Sequence, residues 1–122
     1  VIAGLSFLDE QGIASRLSSR SDFPGCHDGV VTDLARAWLS TLDATTLKEV
    51  ELFVCGPKPL LRVATEVGRE FGVACQISME ENMACAVGAC EGCNIEIKTS
   101  HSRVMQRVCV DGPVFDAYSV FD

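Results

Sequence analysis

Along the first two thirds of the chain, continuous apolar runs alternate with segments in which apolar residues recur at helical spacing. Residues 1–8 form an apolar run before a polar segment, which predicts a buried strand. Residues 18–29 are dense in turn-forming residues and predict a surface loop. Apolar side chains then recur at helical spacing over residues 31–42. This pattern predicts an amphipathic helix with Thr32 as its N-cap and Trp38 in the core.

The middle of the chain has the pattern of a strand, a helix and another strand. Residues 50–55 are β-prone and end at a Gly-Pro turn, where a strand is expected to stop. Helical spacing over residues 60–71, followed by Gly72, predicts a helix and its C-terminal end. A further β-prone run follows at residues 73–77. This order predicts parallel strands joined by crossover helices, the layered arrangement of an α/β fold.

The pattern changes in the last third of the chain. Residues 82–93 form a loop rich in Gly, Ala and Cys. Ile95 and Ile97 then alternate with polar residues, and residues 104–110 are β-prone after a polar turn. We therefore predict a β-hairpin that supports the loop, and a domain boundary near residue 80.

Composition and charge exclude several classes of partner. The chain has 122 residues, 48% of them apolar, which fits one compact domain or two small lobes that share a core. A net charge of -7 opposes binding to nucleic acid or to an anionic lipid surface. The longest uncharged stretches are about half a membrane span, and the first residues lack the basic lead of a signal peptide. Because the chain lacks an initiating Met, we expect it to be a fragment.

Four of the seven cysteines have the spacing of a metal centre. Cys85, Cys90 and Cys93 are separated by four and two residues, and Cys109 follows after fifteen more. This is the plant-type ferredoxin spacing, and four thiolates is the number that a [2Fe–2S] cluster needs. Small residues in the loop would let backbone N–H groups turn toward the sulfurs. A zinc site with four cysteine ligands, free thiols and disulfides remain alternatives at this point.

The remaining candidate side chains favour ordinary structural roles. An odd number of crowded cysteines fits a reduced, cytoplasmic protein better than a disulfide framework. Cys26 and Cys75 are interpreted as incidental or core thiols. Cys55 ends a predicted strand at the sheet edge where α/β proteins bind ligands, although an incidental thiol is favoured there too. His27 and His101 lack the spacing of ligands and are expected to be solvated.

Three segments resemble one known family. Residues 54–60 resemble the C-G-P-x-P-[ML] motif that lies on the nicotinamide side in the ferredoxin reductase superfamily. Residues 83–93 and 108–115 resemble the cluster loop and the closing segment of the electron transfer subunit of dihydroorotate dehydrogenase B. By this resemblance, residues 1–79 are the C-terminal part of a pyridine nucleotide lobe and residues 80–122 are a [2Fe–2S] domain.

The resemblance implies a relay of electrons between two subunits. In this family, electrons from dihydroorotate pass through FMN on a catalytic partner subunit to the cluster, then to FAD, and leave as hydride to NAD. The reaction belongs to cytoplasmic pyrimidine biosynthesis, in a heterotetramer-like assembly. A [2Fe–2S] cluster, FAD and NAD are therefore the expected cofactors of the full-length protein, and neither nucleic acid nor a membrane is expected as a partner.

Site residues follow from the same resemblance, position by position. The cysteines of the spaced motif would be the cluster ligands, namely Cys85, Cys90, Cys93 and Cys109. Cys55, Gly56 and Pro57 would face the nicotinamide. Gly4, at the end of the first predicted strand, and Asp28 with Gly29 would lie near the adenosine side of the nucleotide.

The chain also departs from the family pattern. It contains neither the flavin-binding barrel nor the glycine-rich first strand-turn-helix of the nucleotide lobe. We therefore expect this chain to bind nucleotide weakly by itself, not to hold FAD, and to be inactive alone. Related sulfide dehydrogenase and NAD(P)H:ferredoxin oxidoreductase subunits carry the same type of cluster domain. A structural zinc module used in protein assembly is the alternative from a different class.

Overall fold

A computed structural model describes residues 2–122. The chain is a mixed α/β protein with small sheets and divides into two compact units, one ending at Leu42 and one running from Asp43 to Asp122. Within the described residues, no helix has the length and apolar character needed to cross a membrane.

The first unit begins with a helix where the sequence pattern predicted a strand. Val1 lies outside the described residues, and Ser6–Glu10 form the exposed helix α1. The predicted buried strand is therefore wrong. The segment enters the helix at Leu5, whose backbone N–H donates to Ser15 Oγ at 2.6 Å. A helix satisfies its own backbone groups within one segment, whereas a strand needs a neighbour along its length.

The predicted loop and helix of the first unit are present with corrections. Two-residue strands, β1 (Ser18–Ser19) and β2 (His27–Asp28), pair in parallel within the predicted loop. Helix α2 (Val31–Leu39) follows, with Val30 rather than Thr32 at its N-cap. Its buried residues are Thr32 and Leu39, while Trp38 is 52% exposed. Burial of Leu39 on the predicted face is thus confirmed, whereas the prediction that its neighbour Trp38 lies in the core is wrong.

The second unit contains the predicted strand, helix and strand. After the short helix α3 (Ala44–Leu47), strand β3 (Glu51–Cys55) leads into helix α4 (Lys58–Phe71) and strand β4 (Ala74–Ser78). The two strands pair in parallel along all five residues, with α4 as the crossover. Gly72 ends the helix in the left-handed conformation, at φ +65°, as its position predicted.

The predicted hairpin is also confirmed, but its second strand is shorter than expected. Strands β5 (Asn94–Lys98) and β6 (Arg103–Arg107) pair antiparallel over their whole length. The predicted strand does not continue to residue 110, because Val108–Asp111 form the short helix α5. The Asp111 carboxylate accepts a hydrogen bond from the Arg107 backbone N–H at 2.7 Å, which closes this turn. Cys109 therefore lies on a helix instead of a strand.

The end of the chain completes the sheet of the second unit. Strand β7 (Val114–Asp116) pairs antiparallel with β4, giving the order β3-β4-β7, and helix α6 (Ala117–Val120) follows. Buried apolar residues before and after residue 80 form one cluster that includes Leu61, Ile77, Val108 and Phe115. The boundary placed near residue 80 stays a prediction, but the core of the second unit is continuous across it.

The central strand of this sheet provides a test of the shared core. Ile77 is fully buried in β4 and belongs to the shared cluster. We expect Ile77→Ala to lower the free energy of unfolding by about 3 kcal/mol, because it leaves a cavity in the shared cluster. Phe53→Ala, at a 72% exposed position of β3, should change it by about 0.5 kcal/mol or less. Urea unfolding followed by circular dichroism measures both; equal losses would contradict the described core.

Candidate iron–sulfur site

The hairpin brings the distant fourth cysteine to the loop that carries the other three. Cys85 and Cys90 lie in the loop between β4 and β5, Cys93 directly precedes β5, and Cys109 lies in α5. Because β5 and β6 pair throughout, Cys93 lies beside the start of α5, and its carbonyl oxygen accepts from the Val108 N–H at 3.1 Å.

The four thiols contact one another in two pairs. Cys85 hydrogen bonds with the Cys90 thiol, and Cys109 with the Cys93 thiol. Cys109 is also close enough to Cys85 for their charges to interact, so the two pairs are neighbours. All seven cysteines are free thiols. Within residues 2–122, no three His, Cys, Asp or Glu side chains are arranged to hold a metal ion as the chain stands.

The sulfurs differ in their access to solvent. Cys93 is 3% exposed and belongs to the core cluster, which anchors one end of the group. Cys85 and Cys109 are partly buried, and Cys90 is exposed. Met83 and Val87 are exposed in the same loop. The group of thiols therefore extends from the core to the surface of the second unit.

The loop folds so that its backbone amides face a sulfur. Cys85 Sγ accepts hydrogen bonds from the N–H groups of Ala89 at 3.3 Å and of Cys90 at 3.4 Å. Ala86 and Gly88 have positive φ angles, +55° and +78°, which reverse the chain direction within a few residues. The inward amides expected from the small residues of the loop are therefore present around Cys85.

These contacts change the acidity of two thiols in opposite directions. Donation from the backbone N–H of Val87, together with that of Cys90 and Ala89, lowers the pKa of Cys85 to about 6. The hydrogen bond with the Cys93 thiol, and burial, raise the pKa of Cys109. Near neutral pH, Cys85 in the metal-free site is thus a thiolate that is ready to bind a metal.

Arg107 is a residue of this site that the sequence pattern did not single out. Its Nη1 donates to the Gly88 carbonyl oxygen at 3.0 Å, and its Nε lies 3.4 Å from Asp111 Oδ2. The side chain thus links the end of β6 to the cysteine loop. The only signal in the sequence was its place two residues before Cys109, because a lone arginine at the end of a strand has no periodic pattern.

The predicted nicotinamide-side residues are adjacent at the carboxyl end of β3. Cys55 is an exposed thiol, Gly56 has φ +150°, and Pro57 is the N-cap of α4. A Cβ added to Gly56 would lie 2.6 Å from Leu60 Cδ2, so the turn is packed closely against the helix. Their contact with a nucleotide stays a prediction.

The predicted adenosine-side residues lie in the first unit. Gly4 packs against Ser15, where an added Cβ would lie 2.8 Å from Oγ. Asp28 is exposed at the end of β2, and Gly29 follows with φ +138°. Their role in nucleotide binding also stays a prediction.

Two glycines of the cysteine loop provide a matched pair of substitutions. A Cβ at Gly88 would lie 3.1 Å from Arg107 Nη1 and from Val110, on a backbone that disfavours side chains. A Cβ at Gly92 makes only ordinary contacts, at 3.6 Å or more. We expect Gly88→Ala to lower the free energy of unfolding by about 1–3 kcal/mol and to speed amide exchange in the loop. Gly92→Ala should change both the free energy of unfolding and amide exchange much less. Equal changes in the two variants would argue against the described loop.

The acidity of Cys85 predicts its reactivity in reduced, metal-free protein. A pKa near 6 means that its thiolate fraction, and hence its alkylation rate by iodoacetamide, should rise between pH 5 and pH 7 and then level off. Cys75 is buried, and burial raises its pKa, so its alkylation should be slow throughout this range. Mass spectrometry of peptides after timed alkylation measures both rates. A Cys85 rate that starts to rise only above pH 8 would contradict the described hydrogen bonds.

Comparison with known proteins gives a family for the cysteine-bearing segment. Residues 80–121 match the family described as the iron–sulfur cluster binding domain of dihydroorotate dehydrogenase B. Proteins named dihydroorotate dehydrogenase B (NAD(+)), electron transfer subunit, are similar over a longer stretch. The one from Caldanaerobacter subterraneus subsp. tengcongensis is 39% identical over 92 residues, which is 75% of this chain and 34% of that protein. The one from Clostridium perfringens is 35% identical over 95 residues, or 77% of this chain and 33% of that protein.

A solved structure is similar over almost the whole chain. It is that of an NADH-dependent reduced ferredoxin-NADP oxidoreductase, from work on flavin-based electron bifurcation, with a TM-score of 0.75 and 25% identity. The match covers 95% of this chain and 38% of that one. The chain spans about a third of the length of the curated relatives it matches. The resemblance found in the sequence is thus confirmed, and within it residues 80–121 match the family of iron–sulfur cluster binding domains of dihydroorotate dehydrogenase B.

Proposed function

We propose that the chain is an electron-transfer module that holds a [2Fe–2S] cluster. The ligands would be the four cysteines of the spaced motif, Cys85, Cys90, Cys93 and Cys109. The observation that carries the proposal is the contact of their thiols in two pairs, one of Cys85 with Cys90 and one of Cys93 with Cys109. A cluster of this type takes two protein ligands on each of its two irons, so two neighbouring pairs of thiols suit it.

The surroundings of the thiols suit a cluster that carries negative charge. Ala89 and Cys90 donate backbone N–H groups to Cys85, and Arg107 adds a positive charge beside the loop. Such donors stabilise anionic sulfurs and tune the potential. When bound, the cluster would supply one-electron redox chemistry. The exposed Cys90 end of the group would bring it near the surface, where electrons can pass to and from a partner.

In the complete protein, the module would connect two flavin centres. The similar proteins are electron transfer subunits of NAD(+)-dependent dihydroorotate dehydrogenase B. We therefore infer that the cluster relays electrons from an FMN-containing catalytic subunit to FAD and NAD, in a heterotetramer-like assembly of cytoplasmic pyrimidine biosynthesis. The FAD site would lie in the part of the subunit that this chain lacks.

The same comparison supports a separate role for each of two segments of the chain. Residues 1–79 would form the end of a ferredoxin reductase-like pyridine nucleotide lobe, and residues 80–122 would form the cluster domain with its hairpin. Within the lobe, the turn of Cys55, Gly56 and Pro57 would face the nicotinamide. Gly4, Asp28 and Gly29 would lie toward the adenosine.

A second candidate differs only in the partner. The similar solved structure is a reduced ferredoxin-NADP oxidoreductase, which favours a relay between ferredoxin and a nicotinamide nucleotide as the alternative. The two candidates can be separated in the complete protein. Reduction of its cluster by dihydroorotate, in the presence of the catalytic subunit, supports the first candidate, and reduction only by ferredoxin supports the second.

Metal analysis of protein purified without oxygen tests the proposal directly. We expect about two irons and two acid-labile sulfides per chain, with visible absorption that bleaches on reduction. Cys90→Ser should lose most of its iron, whereas Cys55→Ser, at an exposed thiol outside the group, should keep it. Far-ultraviolet circular dichroism should show that both variants keep the α/β sheet, since the core lies below the loop. About one zinc per chain, with neither sulfide nor visible absorption, would overturn the proposal in favour of a structural zinc module.

A further inference from the structure

We propose that Arg107 is a positioning residue that raises the reduction potential of the cluster. It would act through the peptide unit between Gly88 and Ala89, without touching a cysteine itself. The inference rests on the proposed function, because it requires that the four thiols hold an iron–sulfur cluster.

The geometry of one peptide unit carries the inference. On one side, its carbonyl oxygen, which belongs to Gly88, accepts a hydrogen bond from Arg107 Nη1 at 3.0 Å. On the other side, its N–H, which belongs to Ala89, donates to Cys85 Sγ at 3.3 Å. The C=O and N–H of a trans peptide unit point in opposite directions. A guanidinium that holds the oxygen therefore also aims the N–H at the sulfur.

The preceding peptide unit is oriented at the same residue. The N–H of Gly88 donates a hydrogen bond to the Cys109 sulfur. Gly88 is thus flanked by two amides that serve the first and the last cysteine of the motif. Arg107 packs closely against it, since a Cβ at this position would lie 3.1 Å from Nη1. One side chain thereby restrains the loop segment that serves both sulfurs.

Electrostatics gives the direction of the effect. A charged donor on the carbonyl oxygen polarises the peptide and strengthens the hydrogen bond that its N–H makes. Reduction adds a negative charge to an iron–sulfur cluster, so N–H donors and a nearby cation favour the reduced form. The Asp111 carboxylate accepts hydrogen bonds from the backbone N–H of Arg107 at 2.7 Å and from its Nε at 3.4 Å. This carboxylate holds the arginine in place and partly offsets the positive charge of the guanidinium. Arg107 should thus raise the potential and Asp111 should lower it.

The test is a redox titration of the iron-loaded chain, followed by electron paramagnetic resonance. Arg107→Gln should shift the oxidised-to-reduced ratio roughly tenfold toward the oxidised form, which is about 59 mV lower for one electron. Arg107→Lys keeps the charge and should recover part of the shift. Asp111→Asn should shift the potential upward. Arg103→Gln removes the same charge from the same strand, but its guanidinium pairs with Glu96 and Asp122, so the potential should change little.

The outcomes separate this inference from the proposed function. A wild-type chain that takes up no iron after reconstitution overturns both. A loaded wild type whose potential is the same in Arg107→Gln, or falls equally in Arg103→Gln, overturns the role of Arg107 alone. If Arg107→Gln cannot hold the cluster, the reduction potentials of Asp111→Asn and Arg107→Lys test the inference instead. An upward shift in Asp111→Asn, with the Arg107→Lys potential at or below that of the wild type, supports the inference, and an unchanged potential in Asp111→Asn overturns it.

Discussion

The antiparallel pairing of β5 with β6 is the interaction on which the candidate site depends. Cys85 and Cys109 are separated by more than twenty residues of chain, and an iron–sulfur cluster requires their sulfurs within a few ångströms of each other. The five paired positions of the hairpin return the chain to the point where it left the loop. The Val108 N–H then bonds to the Cys93 carbonyl, and α5 presents Cys109 to the other thiols. Without this register, the three cysteines of the loop would have no fourth partner.

The hairpin is in turn fixed to the α/β layer through the core and through β7. Strand β4 pairs with β3 on one side and with β7 on the other. Since β3 and β4 come before the cysteines in the chain and β7 comes after them, this sheet holds together both ends of the cysteine-bearing segment. Cys93 and Val108 are both buried in the same cluster as Ile77. The group of thiols is thus anchored in the core at Cys93, whereas Cys90 is exposed to solvent. This arrangement suits a centre that must keep its geometry and still be close to a partner.

Negative charge at this site is stabilised by nearby backbone N–H groups. The chain has a net charge of -7, and a cluster with four thiolates adds further negative charge. The loop stabilises negative charge with backbone N–H donors, which leave the net charge unchanged, and with the guanidinium of Arg107 at its edge. Positive φ angles at Ala86 and Gly88 make the amides available, because a loop that turns in this way directs successive N–H groups to one side. The small residues of the loop are therefore a requirement of electrostatics as well as of space.

The sequence by itself determined the candidate ligands of the site and those elements whose signals are local. The cysteine spacing, the parallel pair β3 and β4 with its crossover helix, and the hairpin could all be predicted, since each depends on periodicity, turn residues or spacing within one short segment. The tertiary structure decided the rest. Residues 6–8 lie in a helix instead of the predicted strand, Trp38 is exposed although its neighbour Leu39 is buried, and β7 pairs with β4, a strand distant from it in the sequence. Arg107 reached Gly88 only once β6 was in place. These features depend on which neighbours are available after folding, and a linear pattern carries no information about neighbours that are distant in the chain.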